Sequence, residues 1–454
     1  MGNILLTSTN KMAASVTFKE ALLKGQAPDY GLYMPLYIPR ISENNLNTFK
    51  DMEYHQIAYE IILPFLEDVI ESEKLYQILV DAYNFEIPVQ KVRENFYLMW
   101  LTKGPTASFK DFAARFMSKI MEYFARKEGK RYTVLVATSG DTGGAVANAF
   151  YGLENIDVVI LFPQKEITER QRKQMTTLGG NIIPFSVKGQ FDDCQAIVKK
   201  AFNDSELQKL NLTSANSINF GRLLPQIVYY FYGYSKVGEK NVVFSVPSGN
   251  FGNLMGGVFA KQMGLPVKRF IVAVNENDEF PHFLTTGQYK AVIPSRQCSS
   301  NAMNVGHPSN LARLVHLYGG WLTDERNKNG DVTKKGVLKI SPDMEKMRES
   351  FVSYSITEKE VDKTILEFWG KYKILLEPHG AVAVAAVEKY RSESAVISIE
   401  TADPAKFPEQ IKRLIGIEPQ IPSCLCGIDD KAEDFISIAN DYEVFKDSFI
   451  KKLC

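Results

Sequence analysis

Thr133-Val134-Leu135-Val136-Ala137-Thr138-Ser139-Gly140-Asp141-Thr142-Gly143-Gly144 is an apolar run that ends on a loop of small residues. A short apolar run bounded by glycine predicts a buried strand, and the stretch Ala145 to Leu153 after it predicts a helix. The same succession recurs further on. Asn241 to Val246 reads as a strand, Pro247-Ser248-Gly249-Asn250-Phe251-Gly252-Asn253 as its loop, and Leu254 to Met263 as its helix. Strand, Gly-rich loop and helix in alternation mark a parallel α/β sheet. Asp157 to Phe162 and Asn181 to Val187 add strands, and Ile167 to Leu178 and Phe191 to Phe202 add helices. Both Gly-rich loops aim a helix N-terminus past a strand's carboxyl end, where free N–H groups and the helix dipole favour an anion.

Upstream, Gly104-Pro105-Thr106-Ala107-Ser108-Phe109-Lys110-Asp111-Phe112-Ala113 places a lysine between a Gly-Pro turn and a helix. The spacing of Ala113, Phe116, Met117, Ile120, Met121 and Phe124 gives that helix one buried face, and Ser108 is the expected N-cap. A cation in the first turn meets the positive end of the dipole, so a purely structural lysine is disfavoured there. Partial burial lowers an amine's pKa, which leaves neutral amine for attack on a carbonyl. Lys110 is therefore a candidate nucleophile.

Composition narrows the function further. The chain has 454 residues, 45% of them hydrophobic, enough for two or three domains. Its 53 basic and 53 acidic side chains cancel, so no global field favours nucleic acid or an anionic membrane. No apolar run approaches the ~20 residues of a membrane span, and Met1 to Ser15 lacks the pattern of a signal peptide. Leu6 breaks the myristoylation motif, and a cytoplasmic location is expected. The five cysteines form no disulfide framework, and neither they nor the five histidines show metal-ligand spacing, so no metal is expected.

Neither loop is GxGxxG, neither closes on the Lys-Ser/Thr of a nucleotide phosphate loop, and Pro-Ser-Gly-Asn-Phe-Gly is not a GxSxG elbow. What remains is a lysine with one loop for a cofactor phosphate and another for a substrate carboxylate. Pyridoxal 5'-phosphate supplies an aldehyde and a phosphate that suit this set.

Six motifs in order make the reading specific. They are Gly-Pro-Thr-x-x-Phe-Lys-Asp at 104–111, Ala-Thr-Ser-Gly-Asp-Thr-Gly at 137–143, Ser-Ala-Asn-Ser-Ile-Asn at 214–219, Val-Pro-Ser-Gly-Asn-Phe-Gly-Asn at 246–253, Glu-Pro-His at 377–379 and Thr-Ala-Asp-Pro-Ala-Lys-Phe at 401–407. Together they resemble the threonine synthase family, and the segments Val-Thr-Phe-Lys-Glu-Ala-Leu and Gly-Leu-Tyr-Met-Pro extend the resemblance to the N-terminal region.

The resemblance implies an α/β enzyme of fold type II among pyridoxal-phosphate proteins, with two parallel-sheet domains and an N-terminal cap. The boundaries expected are 1–92 for the cap, 93–128 with 215–454 for the large cofactor-binding domain, and 129–214 for a small α/β domain. An irregular or partly helical insertion is expected over about 278–345. The implied reaction converts O-phospho-L-homoserine and water to L-threonine and phosphate, by γ-elimination and β-hydration. Lys110 would bond the cofactor aldehyde and act as the catalytic base. Ser248, Gly249, Asn250, Phe251, Gly252 and Asn253 would hold the cofactor phosphate, and Thr401 would face the pyridine nitrogen. Thr138, Ser139, Gly140, Asp141 and Thr142 would receive the substrate carboxylate, with Asp141 near the cofactor's phenolic oxygen. Asn216, Ser217, Asn219 and Arg222 would take the substrate phosphate.

Departures from the family pattern cluster near Lys110. Lys103 stands where histidine is usual and would supply a permanent cation for a phosphate. Ala107 and Ser108 replace Leu-Ala, Gly380 replaces alanine or serine, and Asp403 replaces histidine. Two other functions stay open on the residues. One is a phospho-lyase releasing 2-oxobutyrate, ammonia and phosphate; the other is a silent binding protein on the same fold. The partner expected is the small-molecule substrate, on a monomer or homodimer.

Overall fold

The computed structural model describes residues 4–328 and 330–453. The two units read from the sequence lie in two different sheets. Tyr132–Ala137 is the strand of the first, inside a five-stranded parallel sheet ordered Ile436–Ala439, Ile182–Lys188, Ile156–Pro163, Tyr132–Ala137, Leu212–Thr213. Val242–Pro247 is the strand of the second, inside a six-stranded sheet ordered Phe351–Ser355, Val267–Val274, Val242–Pro247, Val396–Glu400, Phe96–Trp100, Val89–Arg93. Only the Val89–Arg93 edge runs antiparallel to its neighbour in that sheet. All residues of Ile156–Pro163, Val242–Pro247 and Val396–Glu400 are buried, as strands covered on both faces must be.

The helix Lys110–Glu128 packs Phe112, Ala113, Phe116, Met117, Ile120, Met121 and Phe124 into the interior, as the spacing predicted. Each large side chain so buried contributes roughly 1.5–3 kcal/mol. Gly129 ends the helix in the left-handed conformation, φ 62°, its N–H returning to Ala125 O and Arg126 O. The helix Phe18–Lys24 begins where Thr17 and Glu20 cap each other: the Thr17 N–H donates to Glu20 Oε2 at 2.8 Å and the Glu20 N–H to Thr17 Oγ1 at 3.3 Å.

Four sequence expectations need correction. Ser108 is not the N-cap: Phe109 holds that position without a side-chain cap, and the buried Ser108 Oγ has no partner. The boundary expected at 92 falls inside the strand Val89–Arg93, which belongs to the large sheet. Residues 436–453 do not join the large sheet. Ile436–Ala439 pairs with Ile182–Lys188, and Phe445 and Phe449 of the helix Tyr442–Leu453 pack into the small sheet's core. The insertion at 278–345 contains helices but also an antiparallel hairpin, Trp321–Arg326 with Val332–Ile340, which the scarcity of apolar alternation concealed. No helix among the described residues is long and apolar enough to cross a membrane.

Candidate active site

Residues that follow strands of both sheets meet at the start of the helix Lys110–Glu128: Asp141 after Tyr132–Ala137, and Thr401 after Val396–Glu400. The loop before this helix is wound tightly. Thr106 donates to Asp111 through its hydroxyl (2.5 Å to Oδ1) and its N–H (2.9 Å to Oδ2), and a Cβ on Gly104 would lie 2.4 Å from Asp111 Oδ2. Ala107 sits at φ 53°, a left-handed conformation that a non-glycine residue adopts at a cost of order 1–3 kcal/mol. The surrounding pairing holds it there. Phe109 N–H donates to Thr401 O at 2.9 Å, Asp403 N–H donates to Ala107 O at 3.0 Å, and Ser108 and Ala402 form an antiparallel bridge. Two motifs almost three hundred residues apart thus become one structure.

Lys110 emerges from this clamp with its side chain 14% exposed and its Nζ 3.8 Å from Asp141 Oδ2. Burial pulls its amine down to about 8, with Asp141 opposing and the Lys406 and Arg222 charges assisting. Asp141 opens the helix Asp141–Phe150 after the first Gly-rich loop. Burial alone would raise its carboxyl, but its cationic neighbours, Lys406 foremost, hold it well below the carboxylate range. Its Oδ1 accepts from Lys406 Nζ at 2.7 Å and from Gln171 Nε2 at 3.0 Å. Asn301 Nδ2 donates to Gln171 Oε1 at 3.0 Å, so the insertion also reaches the site. In the same loop Thr138 is fully engaged: its Oγ1 accepts the N–H groups of Gly140 (3.0 Å) and Gly143 (2.8 Å). Thr138 shapes the turn and offers no free hydroxyl, whereas Ser139 and Thr142 remain half-buried at its mouth.

The second loop presents backbone more than side chains. Phe251 is at φ 60° with its ring edge-on to Phe280, and a Cβ on Gly249 would lie 2.8 Å from Ala302 O. Among the described residues the N–H groups of Gly249, Asn250 and Phe251 meet no acceptor. Ser248 Oγ donates to Val246 O at 2.9 Å, and Asn250 Oδ1 accepts from Ser309 N–H at 2.7 Å. Asn253 turns inward, its Oδ1 accepting from the Tyr229 and Tyr230 hydroxyls at 2.7 and 2.8 Å, while its buried Nδ2 has no partner among the described residues. Free N–H groups at the start of the helix Gly252–Gln262 suit a phosphate dianion, so this loop fits the phosphate of pyridoxal phosphate.

Of the residues expected to take the substrate phosphate, Arg222 acts on Lys110 by its charge and Ser217 lies beside the second loop. Arg222 is buried, its Nη1 donating to Ala215 O at 2.7 Å and its Nε without an acceptor among the described residues; burial lowers its guanidinium to about 10. Ser217 packs its Cβ against Gly252 of the second loop. Asn216 donates through Nδ2 to Ala137 O at 2.8 Å and stays half-buried. Asn219 does not belong to the set. It is wholly buried, its Nδ2 bonded to Leu22 O and Ser214 O and its Oδ1 to Gly221 N–H, so it caps the helix Phe220–Leu223 and joins it to the N-terminal region. Lys103 is exposed, and it acts on Asp403, whose carboxyl is raised by burial and lowered by Lys103 and Lys406. A cavity of about 680 Å³ opens beside the site; Asn216 and Asn250 line it, Lys110 does not.

Below Thr401 lies a network that sequence reading left without a role. The Thr401 hydroxyl donates to Glu377 Oε1 at 3.4 Å, and Glu377 also accepts from Gly380 N–H (2.9 Å), His379 N–H (2.8 Å) and His379 Nδ1 (2.6 Å). Ala302 N–H donates to His379 Nε2 at 3.1 Å, which assigns the proton of a neutral ring to Nδ1. Glu400, one residue before Thr401, is buried, and neither carboxyl oxygen has a hydrogen-bond partner among the described residues.

Comparison with known proteins places this geometry. Residues 79–399 match the model of the pyridoxal-phosphate dependent enzyme family, 6–83 that of the threonine synthase N terminus, and 380–449 that of the threonine synthase C-terminal region. The threonine synthase of Haemophilus influenzae is 40% identical over 419 residues, covering 90% of this chain and 91% of that one. Among solved structures, a pyridoxal-phosphate-bound threonine synthase from Brucella melitensis superposes with a TM-score of 0.90 at 34% identity, over 98% of each chain. The Escherichia coli threonine synthase superposes with a TM-score of 0.88 at 34% identity, over 99% of this chain and 100% of that one.

Proposed function

Because this chain belongs to the threonine synthase family of pyridoxal-phosphate dependent enzymes, we propose that it converts O-phospho-L-homoserine and water to L-threonine and phosphate. The observation that carries the reading is the buried amine of Lys110, lowered to about 8 beside Asp141, in a chain with two separate groups of N–H donors that meet no acceptor among the described residues. One group, the second loop's backbone, would hold the cofactor phosphate. The other, Arg222 Nε beside Ser217 and Asn216, would hold the phosphate that leaves the substrate; a guanidinium suits it by charge and geometry. Ser139 and Thr142, at the N-terminus of the helix Asp141–Phe150, would take the substrate carboxylate. A guanidinium and a separate helix N-terminus near one amine fit a substrate that carries an anion at each end.

The bound cofactor supplies an aldehyde for Lys110 and a ring that draws electron density from the substrate α-carbon. Thr401, with its hydroxyl tied to Glu377, would meet the ring nitrogen. Lys110 Nζ, once the substrate amine has taken its place, is the base for the proton at the substrate α-carbon. A positioned base of this kind contributes ~10²–10⁴ in rate. Burial of the site keeps water from the amine until the substrate seats.

The test is direct. The cofactor-loaded protein is given O-phospho-L-homoserine, and phosphate, L-threonine and 2-oxobutyrate are quantified together. Threonine and phosphate in equal amounts are expected. Phosphate with 2-oxobutyrate would make the protein a lyase that does not hydrate, and no phosphate would overturn the substrate assignment.

A further inference from the structure

Lys406 was part of a sequence motif without a role, and it is the most deeply buried cation near the reactive amine. It is wholly buried; its Nζ lies 2.7 Å from Asp141 Oδ1 and donates to Thr106 O at 3.1 Å. The other oxygen of the same carboxylate, Oδ2, lies 3.8 Å from Lys110 Nζ. Two amines therefore share one carboxylate in a site nearly closed to water. One carboxylate balances one ammonium, and a second ammonium would leave a net charge buried, which costs more than releasing a proton. The nearer amine, held also by a carbonyl, keeps the charge; the farther one gives up its proton. We propose that Lys406 is a positioning residue that claims the charge of Asp141 and thereby leaves Lys110 as the neutral, nucleophilic amine. This rests on the reading of Lys110 as the residue that bonds the cofactor.

The surroundings agree. The groups that act on Lys110 are Asp141, Lys406, Arg222 and Glu377, and burial outweighs the two carboxylates in lowering its amine to about 8. Lys406 in turn acts on Asp141, on the buried Asp111 and Asp403, and on the Cys424 thiol. Its neighbourhood is thus rich in acid, whereas Lys110 has its one close carboxylate already taken. Chemically the division matters at the first step. Neutral Lys110 Nζ adds its electron pair to the aldehyde carbon, and the aldehyde oxygen leaves as water with the amine's two hydrogens. An ammonium has no pair to give.

The experiment uses the full chain stripped of cofactor, mixed with pyridoxal phosphate from pH 6 to 10. Covalent capture is followed by absorbance, and borohydride reduction with peptide mapping locates the modified lysine. The label is expected on Lys110, with a rate midpoint near its lowered value of about 8. In Lys406→Met the amine loses a like charge and gains sole use of Asp141, so the midpoint rises by a unit or more, about tenfold slower capture at pH 7 per unit. Asp141→Asn removes the group that raises Lys110, and its midpoint falls. A merely structural role would slow both variants without moving either midpoint. An unmoved or falling midpoint in Lys406→Met, or a rising one in Asp141→Asn, overturns the division of charge. Should Lys406→Met not fold, Lys406→Gln, which keeps a donor to Asp141 and Thr106 O without the charge, decides by the same rise. A label on any residue other than Lys110 in the unaltered chain overturns the underlying reading instead, so the two failures are distinct.

Discussion

Gly380→Ala should destabilise this protein, and Glu400→Ala should rescue it. A methyl at position 380 would lie 1.8 Å from Glu400 Oε2 and 2.8 Å from its Cδ, far inside van der Waals contact. Glu400 cannot step aside into water, because it is wholly buried in the strand Val396–Glu400. Overpacking of this kind costs ~1–3 kcal/mol. Removing the carboxyl clears the collision and also removes an acid that burial, aided by the Glu377 charge, pushes well above the carboxylate range. Glu400→Ala alone should stay within about 1 kcal/mol of the unaltered protein, since the lost packing is offset by the lost buried polar group. In the double variant the methyl introduced at position 380 fills part of the space vacated, and most of the loss should return, a coupling of ~1 kcal/mol or more. Urea unfolding of the full chain, read by tryptophan fluorescence with slopes compared, measures all four proteins. Additive losses, or an unaffected Gly380→Ala, would refute the placement of Glu400 against this helix. The departure from alanine or serine at 380 is explained by this contact.

Lys110→Ala should abolish nearly all turnover while circular dichroism and unfolding midpoint stay close to those of the unaltered chain; residual turnover near the original rate would sink the catalytic assignment. Arg313→Met should cost ~3 kcal/mol or more on urea unfolding, because Tyr33 O, Ile218 O and Asn310 Oδ1 each lose their bond to one wholly buried guanidinium, and Ser217 O keeps only its bond from Asn310 Nδ2. Glu279, with Oε2 unpartnered, is pushed up to about 8 by burial. Its folded value lies above the unfolded one, so its contribution to stability is complete below about 4.5 and is lost as pH rises towards 8, roughly 2–5 kcal/mol in all. Glu279→Gln should flatten stability between about pH 5 and 8, and an unchanged pH slope in that variant would show that another group controls it.

The parts of the fold that could be read in the sequence are those where one local signal suffices. Tyr132–Ala137 and Val242–Pro247 carry apolar runs closed by glycine, and the helix Lys110–Glu128 carries a clear 3.6-residue period. What could not be read depends on distant partners. The strand Ile436–Ala439 has only four residues, and its sheet is decided by pairing with Ile182–Lys188. Asn219 fits both a family motif and a helix cap by residue type, and its three buried hydrogen bonds show the cap. Lys406 and Gln171 reach the same oxygen of Asp141 from segments far apart in the chain, and nothing local in either segment signals that meeting. Charge in a sequence says what can ionise; burial and distance decide what does.

The strand Val396–Glu400 occupies the middle of the six-stranded sheet, between Val242–Pro247 and Phe96–Trp100, and the residues just after it clamp the loop that carries Lys110. On a ribosome this central strand emerges hundreds of residues after its neighbour Phe96–Trp100. Until then two apolar strand edges stand open, and the lysine loop has nothing to hold Ala107 in its left-handed turn. The large sheet must therefore close late, by long-range pairing, which is slow and leaves the nascent chain prone to wrong association. Truncation after residue 395 should yield an aggregating chain with no reactive lysine, so the catalytic amine also reports whether synthesis has run past the centre of the fold.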